Sequence, residues 1–225
     1  MTRLQEAQDV MRDVKDALAE EEDRLRRHPY FDTLDTGEVS VDALRAFPGH
    51  QFHMWRSDMR SAATMVQRFG DRPYVSFFND DLQGEIAARH GLVLLAAKLG
   101  MTEQDLEAHE PTAEGFAYAA YVAWLAAYGS AAEVACGLSV NLAAWGYNCG
   151  RLSEALRTHY GLDKKDTVFL DAFADLPSFD DIAVEIIADD LGRGVEPRQI
   201  LRAARLIQSY EKMFWDAMAR IAKDG

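Results

Sequence analysis

Ile207-Gln-Ser-Tyr-Glu-Lys-Met-Phe-Trp-Asp-Ala-Met218 carries its apolar residues at helical spacing: Ile207, Phe214, Trp215 and Met218 stand three, four or seven residues from Glu211. The stretch reads as a helix with a carboxylate set into its apolar stripe. A buried carboxylate resists ionising and carries a proton near neutral pH, which makes Glu211 a candidate for acid-base chemistry. The competing reading is a rim Glu, solvated or paired with a Lys or Arg of another helix, because structural ion pairs perturb carboxylates too.

Working outward, Pro197 opens this last helix after Gly192 and Gly194, and Pro177-Ser178 caps the one before it, which reaches Leu191. Asp163 to Asp175 reads as a helix carrying Phe169 and Phe173. Ser130-Ala-Ala-Glu133 is a capping box opening a long helix to about His159. On that helix Leu138, Leu142, Trp145, Cys149 and Leu152 form an apolar stripe, with Val140, Ala143 and Tyr147 beside it. Ala143 underlies Tyr147 and leaves space next to the phenol. Asn141 and Asn148 are polar groups in apolar surroundings, so they require hydrogen-bond partners among their neighbours or on a ligand.

Pro111-Thr112 opens a helix whose stripe of Tyr118, Tyr121, Trp124, Leu125 and Tyr128 reads as core, although the hydroxyls of Tyr118 and Tyr121 also suit the polar end of a pocket. Thr102 to Asp105 caps a short helix, and Asn79 or Asp80 starts one that ends at Lys98 with Gly100 as a left-handed stop. Ser40 caps a helix that Pro48-Gly49 should kink or break before it resumes toward Phe69. Along it Gln51, Met54, Trp55 and Asp58 share a face. His50 and His53, three apart, have metal-ligand spacing but no acidic ligand beside them, so structural histidines are the commoner reading. Glu85 and His90, five apart, project on poorly matched faces. At the N-terminus Leu4, Met11, Leu18 and Leu25 recur every seven residues with Val14 between, a long helix with a narrow seam that His28-Pro29 ends.

No period-2 strand, hairpin, internal repeat or linker interrupts this pattern, so residues 1–225 read as a single all-α domain, a helical bundle. The 48% hydrophobic content supplies a substantial core. A formal charge of −13 argues against a nucleic-acid surface, which needs clustered Lys and Arg. Cys136 and Cys149, thirteen apart on one helix, are too distant to bridge and read as reduced thiols. No signal core and no run of about 18 apolar residues is present, so the expectation is a cytoplasmic protein without a membrane span.

Several segments together carry a family likeness. They are His28-Pro-Tyr-Phe31, Gly37-Glu-Val-Ser40, Gln51-Phe-His53, Leu99-Gly-Met-Thr-Glu-Gln-Asp-Leu106, Ala117-Tyr118 with Tyr121, Gly129-Ser-Ala-Ala-Glu133, Trp145-Gly-Tyr147 and Tyr210-Glu-Lys-Met-Phe-Trp-Asp216. With them the chain resembles, over nearly its whole length, the TenA/thiaminase II family, whose PqqC-like relatives share the heme-oxygenase-like helical fold. The resemblance aligns Glu211 with the family's final-helix Glu and Tyr147 with the Tyr four residues after its nucleophilic Cys, with Trp145 between. Ala143 stands at the nucleophile position and Gln51 where an early acid is found; neither Cys136 nor Cys149 falls in that slot.

Alanine offers no thiolate, so a covalent route is closed at that position. The resemblance then implies a hydrolase acting on a small heteroaromatic amine of aminopyrimidine type, as in thiamine salvage. Glu211 would be acid and base and Tyr147 would position the ring, with Gln51, Phe52, Tyr121, Ala143, Trp145 and Trp215 around the ligand and no metal or cofactor. One alternative is a non-catalytic binder holding a small aromatic ligand between Tyr147, Trp145 and Phe52. Another is a metal-dependent oxidase using Glu85, His90, Glu211 and Asp216, although residues 197–223 contain no His. By resemblance the protein forms a homo-oligomer, a dimer or tetramer.

Overall fold

The computed structural model describes residues 2–224, and all regular structure among them is helical. Eleven helices follow one another: α1 (Arg3–Arg26), α2 (Pro29–Leu34), α3 (Val41–Leu44), α4 (Ala46–Phe69), α5 (Val75–Lys98), α6 (Glu103–Ala108), α7 (Ala113–Tyr128), α8 (Ala131–His159), α9 (Val168–Ala174), α10 (Asp180–Leu191) and α11 (Pro197–Asp224). Local chemistry sets most of the boundaries. Thr2 with Gln5, Thr102 with Asp105 and Ser130 with Glu133 form reciprocal capping boxes, and Ser40 and Thr112 cap α3 and α7. Gly100, at φ +80°, stops the chain after α5.

Five details differ from the sequence reading. Pro48 does not break a helix: α3 ends before it, and it lies in the first turn of α4, where no intrahelical N–H bond is lost. Helix α5 begins at Val75 rather than at Asn79 or Asp80. The helix expected over Asp163 to Asp175 is confined to α9, because Asp166 accepts the Asp163 N–H at 3.0 Å and holds the preceding residues in a turn. Helix α10 starts at Asp180 without a side-chain cap, Ser178 instead accepting the Asp180 N–H at 3.2 Å. The α1 seam packs as spaced from Met11 to Leu25, while Leu4 is exposed.

Cross-helix pairs give the topology. Helix α11 runs parallel to α8, since a Cβ at Gly137 would meet Ile207 while Asn141 bonds Glu211 one turn on. It runs antiparallel to α7, through Tyr121 on Tyr210 and Glu114 on Arg220. Helix α4 runs antiparallel to α5, through Trp55 on Glu85 and Phe69 on Phe78, and parallel to α7. Two apolar cores result, one built on Phe31, Phe47, Trp145, Phe214 and Trp215, the other on Leu18, Met65, Phe78, Ile186 and Ile207. Tyr118 and Leu142 pack against both, which places them at the seam between the cores.

His50 and His53 serve this architecture. The Thr112 N–H donates to His50 Nε2 at 3.1 Å, so Nδ1 carries the proton and donates to the Ala46 carbonyl at 2.8 Å. His53 Nε2 bonds the Leu106 carbonyl at 3.1 Å. Gly115 is required where α7 crosses α4, because a Cβ there would lie 2.3 Å from the His50 ring.

Candidate active site

At the seam between the cores lies a cavity of about 700 Å³. Helix α4 supplies Gln51, Met54, Trp55 and Asp58, the four residues that share a face in the sequence. Helix α11 supplies Glu211 and Phe214, and α8 supplies Leu138, Leu142 and Trp145. Beside α8 stands an apolar wall of Val168, Phe169, Ala172 and Phe173 on α9, continued by Leu176 and Pro177. The volume lies within the range of small-molecule sites, as does the pattern of apolar lining with a few convergent polar groups.

Glu211 is 1% exposed. Trp215 Nε1 donates to its Oε1 at 2.9 Å and Asn141 Nδ2 to its Oε2 at 2.5 Å, while the Tyr118 hydroxyl donates to Asn141 Oδ1 at 2.9 Å. Burial pushes the Glu211 carboxyl up to about 8, although the bonds from Trp215 and Asn141 hold it down in part. That shift favours the neutral, protonated carboxyl. Trp215, four residues on along α11, creates this arrangement locally, and the parallel pairing of α8 with α11 adds Asn141.

A second set of carboxyls faces the same cavity from α4 and α5. Asp58, Asp81 and Glu85 keep part-exposed surfaces because each faces the cavity, yet protein surrounds them closely enough for desolvation to dominate. Burial, reinforced by Asp81, raises Asp58 well above the usual carboxylate range. Burial raises Asp81 to about 6, and burial with the Asp58 and Asp81 charges raises Glu85 well above its ordinary value. None of the three enters an ion pair among the described residues, and Asp58 Oδ1 is buried without a hydrogen-bond partner. The lining contains no Lys or Arg.

The candidate residues of the sequence separate clearly. Gln51, Trp145 and Glu211 meet at the cavity, and Trp215 lies behind Glu211 as its donor. Phe52 is buried in the core against Trp55, and Tyr121 packs between Trp124 and Tyr210 at the α7–α11 contact, so neither lines the cavity. Ala143 and Tyr147 are exposed on the outer face of α8, Tyr147 at 46%, with the Arg26 guanidinium 4.8 Å from its ring centroid. The physical reason is geometric: residues two apart on a helix project about 200° apart, so with Trp145 turned inward both 143 and 147 turn outward.

Cys136 and Cys149 are buried but do not line the cavity, and burial raises both thiols, Cys136 to about 12. Among the described residues no three His, Cys, Asp or Glu side chains converge as metal ligands would, so the residues present do not fit the metal centre of an oxidase. Asp216 is engaged elsewhere, by His28 at 3.0 Å and Lys212 at 2.7 Å. Sequence reasoning missed Asp81, which only the packing of α5 against α4 brings to the same cavity as Asp58. Among the described residues no helix is long and apolar enough to cross a membrane.

A family model described as TENA/THI-4/PQQC family matches residues 15–221. No curated protein matches the chain by sequence. Among solved structures, a TenA homolog from Pseudomonas syringae pv. tomato is 14% identical, with TM-score 0.77, over 95% of this chain and 92% of that one. A TenA homologue from P. horikoshii is 15% identical, with TM-score 0.72, over 94% and 99%. A domain of unknown function with a heme oxygenase-like fold from Shewanella denitrificans is 17% identical, with TM-score 0.68, over 94% and 90%. At these identities the structures establish the fold, a heme-oxygenase-like helical bundle.

Proposed function

Because the chain belongs to the TENA/THI-4/PQQC family, we propose that its cavity hydrolyses a small heteroaromatic amine of aminopyrimidine type, with Glu211 as the proton carrier. The observation that carries this reading is a buried carboxyl group at the cavity wall, fixed by two N–H donors, whose burial favours its protonated form. A positioned acid whose pKa lies near the working pH is what proton transfer to a poor leaving group requires.

In this scheme water attacks the carbon bearing the amine. The C–O bond forms as the C–N bond breaks, the departing nitrogen takes the Glu211 proton, and the water's surplus proton returns to the Glu211 carboxylate. Ammonia and the alcohol are the products, and no covalent intermediate is needed. Both Glu211 oxygens accept bonds from behind, so the group is oriented before a ligand arrives. Trp145 and Phe214 offer the ring an aromatic wall. Tyr147 has no part in this scheme, because its phenol is on the outside of α8.

Ammonia release from an aminomethyl-substituted aminopyrimidine tests the reading. Wild type is expected to turn over and Glu211→Gln to bind the same compound without releasing ammonia. Binding by wild type with no release would make the protein a binder of small aromatic amines, a reading favoured by one observation, the absence of a thiol from the cavity.

A further inference from the structure

Resting on the reading of Glu211 as the proton carrier, we propose that Tyr118 is a positioning residue: it locks the Asn141 amide with its donor end toward Glu211, so that the carboxyl can both give up and regain a proton. An amide side chain can present either of two ends, and here the two are not equivalent. With Nδ2 toward Glu211, as in this structure at 2.5 Å, Asn141 donates to the ionised carboxylate and tolerates the neutral acid as well. With Oδ1 there instead, Asn141 could only accept, and only the neutral acid has an O–H to offer it. The turned amide would therefore hold the proton on Glu211. A group that protonates a leaving amine and then takes a proton back from water needs the first orientation.

Tyr118 decides between the two. Its hydroxyl donates to Asn141 Oδ1 at 2.9 Å, so turning the amide would leave that O–H without its acceptor. Burial, with the charges of Asp58, Glu211, Asp81 and Glu85, pushes the phenol well above its ordinary value, so the hydroxyl keeps the proton it donates. Asn141 is 1% exposed, and among the described residues its amide bonds only Tyr118 and Glu211. Tyr118 packs against both cores, which fixes the lock itself at the seam.

The other groups around Glu211 do not replace this control. Burial favours its neutral form, the donors Trp215, Asn141 and Asn148 oppose that, and the Glu22 carboxylate of α1 adds to it. Trp215 is a donor only, with no acceptor end to turn. Asn148 is held by its own bond to the Leu25 carbonyl at 3.2 Å. Cys149 of α8 is a buried thiol pushed well up, and Asp216 is turned to His28 and Lys212. On the α4 and α5 lining stand Asp58, Asp80, Asp81, Glu85 and His90. Asn141 is thus the amide beside Glu211 whose orientation depends on a second side chain.

Infrared titration reads the Glu211 proton without requiring turnover, as the acid carbonyl band of each protein minus that of the same protein carrying Glu211→Gln. Wild type is expected to titrate at about 8. Asn141→Leu removes the donor and should raise the midpoint by about one pH unit or more, the worth of a hydrogen bond to a charged group. Tyr118→Phe should raise it by about half a unit or more, since the freed amide can then turn to the neutral acid. Tyr118→Phe/Asn141→Leu should titrate within about 0.3 unit of Asn141→Leu, because Tyr118 acts through the amide. An unmoved midpoint in Tyr118→Phe, or a double variant whose shift is the sum of the two single ones, overturns the proposal. Circular dichroism and a cooperative melt establish that each variant is folded; if Asn141→Leu is not, the Tyr118→Phe midpoint alone decides. Midpoints that shift as expected without ammonia release would sink the hydrolase reading and leave the lock standing; release with unmoved midpoints would do the reverse.

Discussion

On the α11 side of the cavity one carboxyl is held by Trp215 and Asn141; on the α4–α5 side three carboxyls share a wall, and no side chain of the protein donates to them. Burial raises the pKa on both sides, but the reasons to tolerate it differ. Glu211 is complete before any ligand binds, as a group that must meet a reacting atom in fixed geometry has to be. The carboxyls of the α4–α5 wall have no such donors, and Asp58 Oδ1 is buried without a partner. Position on one side and charge on the other are separable properties, and the separation can be attacked experimentally.

The sharpest break is kinetic. Glu211→Gln keeps the shape and the acceptor oxygen but cannot deliver the proton, so kcat for amine hydrolysis should fall about 10²–10⁴-fold with KM changed only a few-fold. Glu85→Gln, which touches neither Glu211 nor its donors, should leave kcat nearly unchanged. Equal effects of the two substitutions on kcat would erase the distinction. In wild type kcat should also decline as pH rises through about 8, where Glu211 loses its proton.

Next in size is stability without ligand. If the α4–α5 wall is incomplete, then Asp58→Asn/Glu85→Gln should stabilise the empty protein by about 1 kcal/mol or more, roughly 2–4 °C or above in melting temperature. Loss of stability instead would show that the wall is satisfied within the fold. The pH dependence carries the same sign. Carboxyls raised in the folded state bind more protons folded than unfolded, so their stability is full below the ordinary values near 4 and is lost as pH rises toward the folded ones, about 6 for Asp81. The lowered His50 and His109 work oppositely below about pH 6.5. The quantity to measure is therefore the melting-temperature gap between double variant and wild type, which should widen as pH rises from about 4 toward 7.

These two sides were unequally legible in the sequence. The burial of Glu211 follows from its own helix, through Ile207, Phe214, Trp215 and Met218, and the α4 face with Gln51 and Asp58 follows from spacing in the same way. Asp81 and Glu85 become a site only because α5 packs antiparallel against α4, and nothing within either helix announces that pairing. Caps and stops were local and readable, as at Thr102, Ser130 and Gly100. Pro48 misled because a proline in a first turn and a proline in mid-helix look alike until the preceding helix is seen to end at Leu44.

Helix α8 supplies the smallest effect and the most direct test of the cavity's boundary. It is buried on most of its circumference from Ala131 through Asn141, and the apolar stripe of Leu138, Leu142 and Trp145 that its sequence marks is the face turned to the cavity. Resemblance put Ala143 and Tyr147 beside the ligand together with Trp145; packing turns Trp145 to the cavity and the other two outward. Tyr147 contributes a ring under Arg26 at the surface, a contact worth at most about 1 kcal/mol at an exposed site. Tyr147→Phe should leave kcat/KM for the aminopyrimidine within twofold of wild type. A loss of tenfold or more would mean that the ligand is held on the outer face of α8, and the inner cavity with Glu211 would cease to be the candidate site.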